Sequence, residues 1–61
     1  MTTTADKIVR NWWNKLGDFK LMNTTNQYNL CNLLAGFLQS CEQFGHLTHD
    51  ESQALFRELT K

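Results

Sequence analysis

Proline is absent from this 61-residue chain, and neither sign of charge is in excess: six Lys and Arg stand against six Asp and Glu. Without proline the chain carries no built-in helix breaker. With zero net charge it lacks the overall field that draws a protein onto nucleic acid. No apolar run approaches the roughly 20 residues needed to span a bilayer. The first residues, Met1-Thr2-Thr3-Thr4-Ala5-Asp6, lack the basic and apolar stretches of a secretory leader. A chain this short holds one small domain and is too small to enclose a buried active site with a supporting shell of its own.

Cysteine is nearly as scarce. Cys31 and Cys41 permit at most one disulfide, and ten residues of helix would separate them by about 15 Å. A disulfide needs Cα atoms within about 7 Å, so the two cannot pair within one chain. Free, buried thiols in a reducing cytoplasm are the expectation. A domain of this size buries only about 60% of its unfolded surface. It therefore leans on a metal, a partner or very good helix packing.

What is present points to helices. The pattern Ser/Thr-x-x-Glu/Gln/Asp satisfies orphan N–H groups at helix starts. It occurs as Thr3-x-x-Asp6, Thr24-x-x-Gln27 and Thr48-x-x-Glu51, each before an apolar run. Gly17 and Gly45 follow the first two runs and suit left-handed C′ positions. Lys15 stands where a cation favours a helix C-terminus. The spacing predicts helices over about 4–16, 25–44 and 49–60. In the second, Leu30, Leu34, Phe37, Cys41 and Phe44 follow a heptad seam. Cys31, Leu33 and Leu38 widen its apolar arc to about 160°, which suits a central helix with a neighbour on either side. No window alternates with the period of a strand. Phe19, Leu21 and Met22 are expected to pin the connection 17–23 to the core.

The predicted fold is an all-α, three-helix domain with the second helix in the middle. Its expected core is Ile8, Val9, Trp12, Leu16, Tyr28, Leu30, Leu34, Phe37, Leu38, Cys41, Phe44, Leu55 and Leu59. Homodimerisation is one way such a core would be completed.

The chemistry-bearing residues form no recognisable catalytic or metal site. His46-x-x-His49 lies in a turn and at a helix start, and the cysteines lack the close pairing of zinc ligands. Neither cysteine is expected to be an exposed, stabilised thiolate. No nucleophile elbow or phosphate-cradling glycine loop occurs. Asp50 and Glu51 are accounted for by helix capping. No enzyme activity, cofactor or metal is expected.

Three surface features remain. Trp12 and Trp13 point about 100° apart on a helix, so both indoles hardly fit inside so small a core. Trp12 is assigned to the core and Trp13 to an interface, where tryptophan is a common hot spot. The alternative leaves both half-buried at the core edge. The outer face of the second helix, with Asn26, Asn29, Asn32, Gly36, Ser40 and Gln43, is polar and uncharged, and Gly36 would admit a close backbone approach. A plain solvent-facing helix is the competing reading. Finally, Lys7, Arg10, Lys15 and Lys20 stand against Asp6 and Asp18 in residues 1–20, a net +2 balanced by −2 in residues 21–61.

The function expected is that of a small, cytoplasmic, non-enzymatic interaction or regulatory protein. It would dock a helical face on another protein, or on its own copy as a homodimer, with Arg10, Trp13, Gly36, Asn29 and Asn32 as contacts. Free-standing domains of this size often serve as inhibitors, adaptors or regulators, including ones carried by phages and plasmids, an association of size with role. The alternative is a nucleic-acid-binding transcriptional regulator using Lys7, Arg10 and Lys15 beside the indoles. A helix-turn-helix reading places His49-Asp50-Glu51 at the head of the recognition helix, where two carboxylates would face phosphate.

Overall fold

The computed structural model describes residues 3–61. They form three α-helices, α1 (Thr4–Lys15), α2 (Thr24–Gln43) and α3 (His49–Leu59), with one 3-10 turn at Phe19–Leu21. There is no strand among the described residues. The expected boundaries hold to within one residue at each end. At 1.5 Å per residue α2 is about 30 Å long, which sets the 33 Å long axis of a molecule 17 × 16 Å across.

Helix ends are where the sequence signals are most local, and most are realised. The Thr3 hydroxyl accepts the Asp6 N–H, while the Asp6 carboxylate turns to Arg10 rather than back to the cap. At α3 the box closes in both directions: Thr48 accepts the Glu51 N–H and Glu51 accepts the Thr48 N–H. At α2 the cap is Asn23, one residue before the expected threonine, and its Oδ1 accepts the Asn26 N–H at 2.8 Å. Gln27 is thereby free to donate to the Phe19 carbonyl at 2.9 Å, which fastens the 3-10 turn to α2. Gly17 and Gly45 both take positive φ. At the end of α2 His46 N–H reaches the Cys41 carbonyl and Gly45 N–H reaches that of Glu42, the paired bonds of a Schellman motif.

The centre of the core takes one aliphatic side chain from each helix, Val9, Leu34 and Leu55, all fully buried. Burying each contributes about 1.5–3 kcal/mol. Trp13, Leu38, Cys41 and Leu47 complete the buried set, and Ala5, Trp12, Phe19, Leu30, Phe37, Phe56 and Leu59 pack around it.

Four expected core residues lie outside it: Ile8, Leu16, Tyr28 and Phe44 are exposed. Ile8 is about 100° round α1 from Val9 and Tyr28 about 120° round α2 from Leu34, each on a flank that no neighbour covers. Leu16 caps α1, where the chain leaves the bundle. Phe44 continues the heptad count of α2, but it lies about 20° from exposed Leu33 and about 60–80° from buried Cys41 and Leu34 round the helix, and it is 78% exposed. Its place in the core goes to Leu47, which the Schellman turn folds inward. Of the connection, Phe19 packs on the core, while Leu21 is 83% exposed.

Candidate interaction surface

The tryptophans take the opposite parts from those expected. Trp13 is 5% exposed and packs on Phe19 with ring centroids 5.4 Å apart. Trp12 is half-buried at the rim, 4.9 Å from the Phe37 ring. Val9-Trp12-Leu16 and Val9-Trp13-Leu16 are equally good helical faces, with spacings 3, 4 and 4, 3. Periodicity alone does not choose between them. The 3-10 turn does, by laying Phe19 over Trp13.

Arg10 is also committed within the chain. Its guanidinium donates Nη1 to Glu58 Oε1 at 3.0 Å, Nη2 to Glu58 Oε2 at 2.7 Å and Nε to Asp6 Oδ1 at 2.5 Å. The fork geometry matches a carboxylate on one edge. The pairing raises the Arg10 pKa further above its ordinary value and lowers that of Glu58. Arg10 thus ties α1 to α3 and is not a free contact. Lys7 and Lys15 are exposed, but the patch expected around them lacks Trp13, now buried, and Arg10, now neutralised.

The outer face of α2 is as expected in composition and exposure. Asn29, Asn32 and Gly36 are all exposed, as are Asn26, Ser40 and Gln43. No Asp, Glu, Lys or Arg occurs from Leu21 to Cys41. A Cβ built on Gly36 would meet no atom within 4 Å.

Beside that face runs an apolar shoulder not foreseen as a surface. Leu33, Phe37 and Phe44 recur at helical spacing along the α1 side of α2, with Leu33 57% and Phe44 78% exposed. Across the seam Ile8, 55% exposed, lines with Phe37, Cys41, Ala5, Thr4 and His46 a small, almost wholly apolar hollow. His46 leads on to Phe44, with ring centroids 6.4 Å apart. The signal was in the sequence: a 160° arc is wider than two thin neighbours cover.

On the opposite side, α2 and α3 form a shallow groove floored by Ala35, Leu38 and Phe56. Glu42, His49 and Gln53 line it in a hydrogen-bonded chain, 3.1 Å from Glu42 Oε1 to His49 Nδ1 and 3.0 Å from His49 Nε2 to Gln53 Nε2. A neutral imidazole with its proton on Nδ1 satisfies both bonds. Ser52 is buried in this seam, and its Oγ has no hydrogen-bond partner among the described residues. It is small enough to let the two helices approach.

Cys31 is half-buried and Cys41 buried, both as free thiols. Burial pushes the Cys41 thiol up, away from the thiolate a nucleophile needs. Among the described residues no three His, Cys, Asp or Glu gather in a group suited to a metal ion. No helix there is long and apolar enough to cross a membrane. No family model, curated protein or solved structure matches the chain.

Proposed function

We propose that this chain is a small non-enzymatic interaction module that regulates or bridges proteins by docking the apolar shoulder and outer face of α2. One observation carries the reading. Ile8, Leu33 and Phe44 are more than half exposed and border a helix face without charge, on a domain with few large apolar residues to spare. Contiguous exposed apolar surface on a small soluble domain marks an interaction site. Aromatic side chains surrounded by uncharged polar groups have the composition of an interface centre. The contacts proposed are Leu33, Phe37, Phe44 and Ile8, with Asn29, Asn32 and Gly36 beside them.

The nucleic-acid reading has less support. Of its two indoles Trp13 is buried, its arginine is paired with Glu58 and Asp6, and the exposed Lys7 and Lys15 are far from the basic stripe such proteins carry.

The test is capture by the tagged chain from lysate of its native host, with and without nuclease, using wild type and Leu33→Glu. Far-UV circular dichroism confirms that both are folded. The expected result is a discrete protein retained after nuclease and lost with Leu33→Glu. Material released by nuclease would transfer the function to Lys7 and Lys15. A protein held equally by Leu33→Glu would remove the shoulder from the site.

A further inference from the structure

We propose that the occupant of the outer α2 face is a second copy of this chain, packed antiparallel about a two-fold axis level with Gly36, in a reversible dimer. The proposal rests on the interaction-module reading and names its partner.

Gly36 is the first argument. Glycine weakens a helix interior, and nothing inside the chain asks for it here, since a Cβ at this position meets no atom within 4 Å. The missing Cβ matters only if something outside comes close, and another helix backbone is what a bare glycine admits.

Charge is the second. All twelve charged side chains lie outside residues 21–41, so the face centred on Gly36 can meet itself without repulsion. A strongly charged partner would find nothing complementary on it. Amide side chains both donate and accept, so a face of Asn and Gln is complementary to its own copy. The order of residues is symmetric as well. Asn29 and Gln43 stand seven residues to either side of Gly36, and Asn32 and Ser40 four to either side. Antiparallel pairing therefore sets Asn29 level with Gln43 and Asn32 level with Ser40 of the other copy.

Area is the third, and it sets the strength. The chain exposes 4510 Å², where a compact monomer of its mass exposes about 4,100 Å². A stable interface takes roughly 800 Å² from each partner. One face of a 30 Å helix is about 10 Å wide, on the order of 300 Å² of footprint. Helix pairing alone falls short, and the shoulder at Leu33 must contribute. The dimer is consequently weak and concentration-dependent.

Sedimentation equilibrium over about 10 µM to 1 mM, the range of weak complexes, tests this on the intact chain. Wild type is expected to fit a monomer–dimer equilibrium. Gly36→Leu, which keeps the helix and blocks the approach, should weaken the dimer about tenfold or more, a loss of about 1.4 kcal/mol. Gln53→Leu, on the far side in α3, should leave it unchanged. A register test follows from the symmetry: Gly36→Cys with Cys31→Ala should form a disulfide-linked dimer through residue 36 under mild oxidation. A chain that is monomeric throughout overturns self-pairing, as does a dimer indifferent to Gly36→Leu. A monomer that still captures a different protein in a Leu33-dependent way overturns only this proposal and leaves the interaction-module reading standing. Loss of both would end the two together.

Discussion

The two seams along α2 are closed by different means. α2 meets α3 across the five-residue turn 44–48, where both helix ends are capped: a Schellman pair on one side, a full capping box on the other, and Leu47 folded beneath. α2 meets α1 through the longer connection 16–23, which closes only the end it crosses, with Phe19 on Trp13 and Gln27 on the Phe19 carbonyl. At the far end of that seam no connection crosses among the described residues, and there Ile8 and Phe44 stay exposed. In so small a domain the short, well-capped connection decides where packing is complete. The unbridged end decides where apolar surface is left for a partner. Tyr28 obeys the same rule at the start of α2, which the shorter α3 does not reach.

The largest effect that separates packed from open surface should come from adjacent residues. Leu34 is fully buried and Leu33 is 57% exposed. Leu34→Ala is expected to cost about 2–5 kcal/mol. That is comparable to the whole stability such a core supplies, about 3–5 kcal/mol, so the variant should be largely unfolded at room temperature. Leu33→Ala, measured in dilute solution, should stay within about 0.5 kcal/mol of wild type. Urea denaturation followed by circular dichroism reads both. Equal losses would break the comparison by showing that the shoulder belongs to the core.

Much of this contrast was legible in the sequence, and the part that was not has a specific cause. Helix positions follow from the threonine boxes, the two positive-φ glycines and the 3.6-residue period, because these act within one or two turns. The 3.6-residue period also identifies Leu34, Leu38 and Leu55. It fails where a third body decides. Trp12 and Trp13 fit the helix equally well until Phe19 covers one. Phe44 fits the heptad count of α2, yet it shares the flank of exposed Leu33 rather than that of buried Leu34. Leu47 reads as a turn residue by period alone, yet an apolar residue just before an N-cap is itself a packing signal, and it is buried. Arg10 reads as a free contact in the sequence because its partner Glu58 is 48 residues on. The outer face of α2 needed no tertiary information, since a run of residues without charge is visible as it stands.

The next effect concerns the closed seam. Thr48→Ala removes the hydroxyl that accepts the Glu51 N–H, while the backbone N–H of residue 48 can still donate to Glu51; it should cost about 1 kcal/mol, lowering the urea midpoint without changing its slope. An unchanged midpoint would mean that Leu47 and the Schellman turn hold the corner without the cap. Gly36→Ala tests the open side and has the reverse sign. In dilute, monomeric protein it should raise stability by about 0.5–1 kcal/mol, the ordinary gain of alanine over glycine in a helix. A loss instead would reveal a contact at Gly36 inside the monomer, and the outer face would no longer be unpartnered.

The smallest effect belongs to the third seam, where Arg10 joins α1 to α3 through Glu58. Both side chains are substantially exposed, at 38% and 58%, so solvent screens the pair and its contribution is slight. Its sign is nonetheless fixed. The Glu58 carboxyl is held below its ordinary value by the Arg10 guanidinium, so the folded state binds its proton less readily than the unfolded chain does. The pair therefore adds stability in full above the unfolded glutamate value of about 4.3. That contribution is lost as pH falls through the lower folded value. Thermal unfolding of wild type and Glu58→Gln should show wild type ahead at about pH 7, with the gap closing toward about pH 3 and shrinking in high salt. A gap that survives both acid and salt would mean that Glu58 acts by packing rather than charge. The α1–α3 seam would then be closed in the manner of the α2–α3 corner, by contact rather than by a screened ion pair.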